Sequence, residues 1–290
     1  MNPPPSSIAI VTDSAADIPA DVAEAHAIRV IPAILVVDGE SLADGQGLSR
    51  AAFYDRMPSM RQPPTTAAPS PEAFSAAYRA ALRSGASNVL SIHVSGRLSG
   101  IAEMAQRAAE AFDGRVHVID SGQVSLGAGF QVLAAARAAA QGRPLVEVLS
   151  AIETVRQRVR VVAMIDDLEY LRRSGRISWL RSGLGVLLHI RVLIDLADGA
   201  VRRLGQVRSR AKAIEALVER ALSWGELDQL GVLHSAAIKD ATALAARLGG
   251  RMGLEPQVVD VTTVIGTHVG PRSLGLVGVL AGAARGSAPG

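Results

Sequence analysis

Short apolar runs that each stop at a hydroxyl- or carboxylate-bearing turn constrain this chain more than any other feature. Ser7 to Val11 runs into Thr12-Asp13-Ser14, Asn88 to Val94 into Ser95-Gly96, and Val116 to Ile119 into Asp120-Ser121. Helical spacing fills the intervals. Pro71 to Ser84 carries Phe74, Ala77, Tyr78 and Leu82 on one face, and Ser99 to Phe112 and Leu126 to Gln141 read as further helices. A second apolar run, Ile28 to Val37, is broken by Pro32 and predicts an edge or bulged strand, while Ser49 caps a short helix through Met57. Short strands separated by helices predict a mainly parallel sheet with helices on its faces.

The pattern changes from about Pro144. Leu145 to Val155 reads as a helix, Arg160 to Ile165 as a strand, and Leu168 to Leu188 as short helices around Gly175 and Gly183. Ile190 to Ala197 and Val201 to Val207 flank Asp198-Gly199, the turn chemistry of a two-residue β-hairpin. Ser209 caps a helix to Trp224, strands Leu230 to His234 and Gln257 to Val261 flank the helix Asp240 to Leu248, and Ser273 to Ala284 is expected as a closing helix. The expected architecture is therefore α/β in two domains. Residues 1–155 would form an N-terminal domain with a mainly parallel sheet, and residues 156–290 a C-terminal α/β domain with a mixed sheet, the chain being free to cross between them.

Composition excludes several classes. With 49% apolar and 20% charged residues the chain is globular rather than disordered. It has no cysteine, so a disulfide framework, a thiolate nucleophile and a Cys-based zinc site are ruled out. No His-Glu-x-x-His or close histidine spacing occurs, so neither a metal nor another cofactor is expected. Met1-Asn2-Pro3-Pro4-Pro5 does not open a secretory signal, and the run Val186 to Leu196 is interrupted by His189, Arg191 and Asp195. A soluble, cytoplasmic protein without membrane insertion is expected. The net charge is +3 and the arginines are dispersed, the densest group being Arg202, Arg203, Arg208 and Arg210. The two Trp, three Tyr and four Phe do not interleave with that group, so nucleic acid is not an expected partner. A basic patch that docks an acidic protein stays open.

Ligands of open α/β sheets bind outside the carboxyl ends of the strands. Here those ends carry Thr12-Asp13-Ser14, Ser95, Ser99 and Asp120-Ser121. Ordinary turns and helix caps use the same residue types. Ser95 to Gly100 is the most suggestive segment, because Ser99 sits where a helix begins and unpaired backbone N–H groups favour an anion. It matches neither a phosphate-binding P-loop nor the Gly-x-Ser-x-Gly of hydrolases.

Taken in order, these segments resemble the DegV family. The resemblance is carried by Ile8 to Ser14 with Asp17-Ile18-Pro19, Pro64 to Pro71, His93 to Gly100, Val118 to Ser121, Leu171 to Ile177, Val207-Arg208 before Lys212, and Gly266 to Pro271. It implies a two-domain, non-enzymatic carrier of one long-chain fatty acid, such as palmitate or oleate. Such a carrier presents the carboxylate to a separate fatty acid kinase and carries the acyl-phosphate. By position, Thr66, Ser99 and Ser95 would bind the carboxylate, His268 would lie near the head group, and Arg208 would belong to the kinase interface. Ala67 and Ala68 replace a Ser and a Gln of the family pattern, Gly96 a Ser, Ile101 a Thr, Val192 a Pro and Arg272 a Gly. Two other readings remain. In one, Ser95 or Ser99 is the nucleophile of an esterase or acyltransferase, with His268 as base and Asp13 or Asp120 as orienter. In the other, the protein is a lipid-binding regulator without a kinase.

Overall fold

The computed structural model describes residues 8–176 and 190–282. Strands β1 (Ile8–Asp13), β2 (Arg29–Ile31), β6 (Asn88–His93) and β7 (Val116–Asp120) form an all-parallel sheet in the order β2-β1-β6-β7. A six-stranded mixed sheet contains β8 (Val159–Ile165), β9 (Arg191–Ala197), β10 (Ala200–Val207), β11 (Leu227–His234), β12 (Gln257–Asp260) and β13 (Leu274–Leu280). Its order is β10-β9-β8-β13-β11-β12, and only the β11–β12 pair is parallel. Strands β3 (Ile34–Val37), β4 (Glu40–Ala43) and β5 (Thr65–Ala67) make a small antiparallel sheet, in which Thr66 pairs with Leu35.

Apolar periodicity dictates the layering. Helices α3 (Pro71–Arg83) and α4 (Ile101–Ala109) bury Phe74, Tyr78 and Ala105 against Val11 and Val89 on the outer face of the parallel sheet. On the outer face of the mixed sheet, α8 (Arg210–Leu222) and α9 (Ile238–Met252) pack Leu217 and Leu244 against Val162, Met164, Val232 and Leu276. Between the sheets lie α5 (Leu126–Ala140) and α6 (Leu145–Arg158), whose Phe130, Leu133, Val148 and Ile152 share one core with Ile10 and Ile92 on one side and Leu233 and Val277 on the other. Helix α5 is apolar over most of its circumference, as a helix with twelve of its fifteen residues buried must be. It is also squeezed. A Cβ on Gly129 would lie 2.7 Å from the Ala16 carbonyl oxygen, and one on Gly231 of the facing strand 2.6 Å from Leu126. Short helices α1 (Ala20–Ala25), α2 (Arg50–Arg56), α7 (Leu168–Arg173) and α10 (Thr263–Val269) fill the edges, and α10 touches α2, α7, β3 and β5.

The α/β class, the parallel first sheet, the mixed second sheet and the Asp198-Gly199 hairpin match the sequence reading. Four local expectations are corrected. Ser273 to Ala284 is not a helix. Leu274–Leu280 forms β13, hydrogen-bonded to β8 and β11 and buried on both faces, so its continuous apolar run shows no alternation. Ile28 to Val37 is split around Pro32 into β2 and β3, which belong to different sheets. The helix expected from Ser99 starts at Ile101, with Gly100 as its N-cap. Strands β4 and β5 were not anticipated. Of Leu168 to Leu188, α7 is observed, and residues 177–189 lie outside the described residues. Helix α5 falls on the N-terminal side of the boundary expected after residue 155 yet packs on both sheets, and α6 runs across that boundary to Arg158.

Candidate functional site

A cavity of about 230 Å³ opens between the mixed sheet and the N-terminal half. The register explains it. Leu233 pairs with Gly275, Gly275 with Ala163, and Ala163 with Ile194, so one face of the sheet presents two very small residues between two large ones. Opposite stand Ala15, Ala33, Val94 and Ile101, and α10 contributes Val264 and Ile265. Small side chains thus leave the space, and branched apolar ones line it.

The polar groups on this wall are few. Thr66 and Ser99 both line the cavity, as does His268 from the last turn of α10. Thr66 Oγ1 is 3.1 Å from His268 Nε2, while His268 Nδ1 is buried without a hydrogen-bond partner among the described residues. Burial, and next the charge of Arg176 on the same wall, lower the His268 pKa from 6.5 to about 4, so the imidazole is neutral at neutral pH. Ser99 Oγ accepts a long hydrogen bond of 3.4 Å from the Ile101 amide at the start of α4, where unpaired N–H groups gather. Its own hydroxyl hydrogen has no acceptor among the described residues.

Ser95 and Arg208 are placed elsewhere. Ser95 is fully buried but does not line the cavity, and its hydroxyl donates to the Gly199 carbonyl at 2.8 Å. Arg208 is exposed away from the cavity wall, with its carbonyl accepting from Arg191 at 2.8 Å. The carboxylates offered as orienters of His268 are engaged with other groups. Asp120 accepts from the Gly96 and Gly122 amides at 3.0 and 2.8 Å. Asp13 accepts from the Ala15 amide (3.0 Å), the Val94 amide (3.1 Å) and His93 Nδ1 (2.9 Å).

His93 in turn lies 2.6 Å from Ser91 Oγ, and Ser91 2.8 Å from Tyr78 OH. This Asp13–His93–Ser91 row has the spacing of a nucleophilic triad. None of the three side chains reaches solvent or the cavity, so the row is a sealed core network. Sequence reasoning passed over it, although Ser91 and His93, two apart on β6, share one face.

A second buried carboxylate joins the two halves beside the cavity. Asp17 accepts from Ser125 Oγ at 2.5 Å and from the Thr262 amide at 2.9 Å, and Ser125 lines the cavity. Burial pushes the Asp17 pKa from 3.8 up to about 7, with the bonds from Ser125 and Thr262 and the charge of Arg50 opposing it and Asp44 adding to it. A raised folded-state pKa means that the folded protein binds this proton more tightly. The associated stability is complete below pH 3.8 and is lost as pH rises through about 7, a loss of roughly 4 kcal/mol at most. His268 works in the opposite sense between about 4 and 6.5, since its lowered pKa favours the folded state as pH rises. Comparison of Asp17→Asn with the parent isolates the carboxylate: urea denaturation at pH 5 and pH 8 should show the variant gaining stability over the parent at the higher pH.

Two large β-sheets sharing a helical layer, with a mostly apolar cavity whose wall carries hydroxyls, the neutral His268 imidazole and a few further polar side chains, define an α/β protein shaped to enclose a mostly apolar small molecule. Residues 7–280 match the family model described as an uncharacterised protein of the DegV family, and the chain belongs to that family. A DegV domain-containing protein of Streptomyces coelicolor is 37% identical over 274 residues, covering 93% of this chain and 97% of the relative. Among solved structures, a DegV family protein from Thermus thermophilus described for its fatty acid binding superposes with a TM-score of 0.87 at 33% identity, over 94% of this chain and 99% of that one. DegV of Bacillus subtilis, described as a fatty acid binding protein, superposes at 0.84 with 29% identity, over 94% and 99% of the two chains.

Proposed function

We propose that this protein binds one long-chain fatty acid, such as palmitate or oleate, in the cavity. It performs no chemistry itself, presents the carboxylate to a separate fatty acid kinase, and carries the acyl-phosphate. The observation that carries this reading is the pairing of Thr66 with a neutral His268 on the wall of a mostly apolar cavity that Ser99 also lines. The fatty acid binding described for the Thermus thermophilus and Bacillus subtilis relatives supports it.

The energetics agree. Burying the methylenes of a sixteen-carbon acid contributes up to roughly 12 kcal/mol at about 0.8 each, before the ordering costs of binding. The tail can therefore supply the affinity. Hydroxyls and amides then fix the carboxylate while leaving it nucleophilic, which a buried bidentate arginine would not. The exposed Arg208 is available to a partner protein, in keeping with a kinase interface. No helix among the described residues is long and apolar enough to cross a membrane.

Native mass spectrometry of protein purified from a bacterial host should show one acid per chain, identified after denaturing extraction. Addition of a fatty acid kinase and ATP should then yield an acyl-phosphate trapped by hydroxylamine. An empty protein that also refuses oleate and palmitate overturns the ligand. A loaded protein that yields no acyl-phosphate with its kinase overturns the carrier role alone.

A further inference from the structure

A serine hydroxyl has a single hydrogen to donate. In Ser95 it goes to the Gly199 carbonyl at 2.8 Å, while the Arg97 amide donates to Ser95 Oγ at 3.2 Å. No donor is left for a carboxylate. The acceptor belongs to the other half of the molecule, at the Asp198-Gly199 turn of the β9–β10 hairpin. The turn is fitted closely to the serine: Gly199 has φ +74°, and a Cβ there would lie 2.7 Å from Ser95 Oγ. Arg97 adds a second tie, its Nη1 donating to the Asp198 carbonyl at 3.0 Å.

What these ties span is the cavity. Leu98 and Ser99, directly after Arg97, line it from one side, and Leu196 and Val201, either side of the turn, line it from the other. Strand β10 is the edge of the mixed sheet, so the hairpin has no neighbour strand beyond β10 among the described residues and is held by the pairing of β9 with β8 and by α8 packed against it. Edge elements with few anchoring contacts open at low free energy.

We propose that Ser95 is a positioning residue that clasps the β9–β10 hairpin shut across the cavity and thereby sets how fast a bound acyl chain leaves. The kinetic part rests on the fatty-acid reading; the clasp itself does not. The release path is the gap between the hairpin turn and the Ser95–Arg97 turn. Arg97, exposed and polar, reinforces the clasp from outside.

The test combines two measurements. Hydrogen exchange on ligand-free protein should show the amides of the hairpin turn exchanging faster in Ser95→Ala, and also in Arg97→Ala, which removes only a surface tie should the buried serine prove necessary for folding. Palmitate dissociation, followed by a chase, should speed up roughly tenfold in Ser95→Ala, the effect of losing one buried hydrogen bond. The same factor should appear in a Thr66→Ala background, because a clasp acts independently of the head group. A factor that shrinks or vanishes in that background would make Ser95 a carboxylate ligand and overturn the clasp, as would unchanged exchange at the turn in both variants. Should the parent bind no fatty acid, the functional reading fails, and exchange at the turn still decides whether the clasp exists.

Discussion

A Thr66→Ala, Ser99→Ala variant will hold palmitate about a thousandfold more weakly than the parent, measured by isothermal titration with delipidated protein. Each hydroxyl is assigned one hydrogen bond to a carboxylate, and hydrogen bonds to charged groups contribute about 1.5 to 3 kcal/mol each. Two of them come to roughly 4 kcal/mol, and every 1.4 kcal/mol is tenfold in affinity. The fold should survive. Thr66 and Ser99 are only partly buried, and the one bond that Ser99 Oγ makes among the described residues is the 3.4 Å contact from Ile101. Part of the loss will come through His268, whose Nε2 loses its partner when Thr66 is truncated. An affinity within threefold of the parent would move the carboxylate to another polar stretch of the wall, such as Ser125 or His234.

The second large effect is on stability. Asp13→Ala is expected to destabilise the folded chain by about 3 to 9 kcal/mol, because it strands the Ala15 amide, the Val94 amide and His93 Nδ1 in the core at about 1 to 3 kcal/mol apiece. In a protein of this size that lowers the melting temperature by roughly 5 to 15 °C. The damage would spread along the row, since His93 orients Ser91 and Ser91 orients Tyr78. Asp13→Asn should be milder, retaining an oxygen for one amide while facing the other donors with an NH₂. Thermal denaturation of the two variants orders them, and equal melting temperatures for Asp13→Ala and the parent would refute the account.

The architecture was legible where periodicity is unambiguous. The strands around Val11, Leu90 and Val118 end in polar turns, and the Asp198-Gly199 hairpin announces itself. Legibility failed where burial is two-sided. Leu274–Leu280 sits between two other strands with both faces covered, and a continuous apolar run of that kind does not distinguish strand from helix. The short strand β5 was missed for another reason. Three residues carry too little pattern, and Thr65–Ala67 is a strand only because β3 pairs with it.

The site shows the same division. Thr66, Ser99 and His268 were found through motif resemblance, and the structure lines one cavity with them. The turns at Asp13 and Asp120 promised ligand contacts by position alone, yet their carboxylates hold backbone amides and a histidine. Sequence position places a residue at a strand end, but it does not say which partner reaches it first. Ser95 illustrates this: its partner is the Gly199 carbonyl, 104 residues further along.

The place of β13 bears on how the protein is made. Residues 274–280 are inserted between β8 and β11, whose sequences lie up to 121 residues earlier (Val159 to Leu280), and Gly275 forms part of the cavity wall. During translation β8 and β11 leave the ribosome without their common neighbour, and their facing edges stay unpaired until β13 follows. Completion of the cavity wall is thus a step that follows the synthesis of β13, and until then the chain depends on whatever shields exposed apolar strands in the cell.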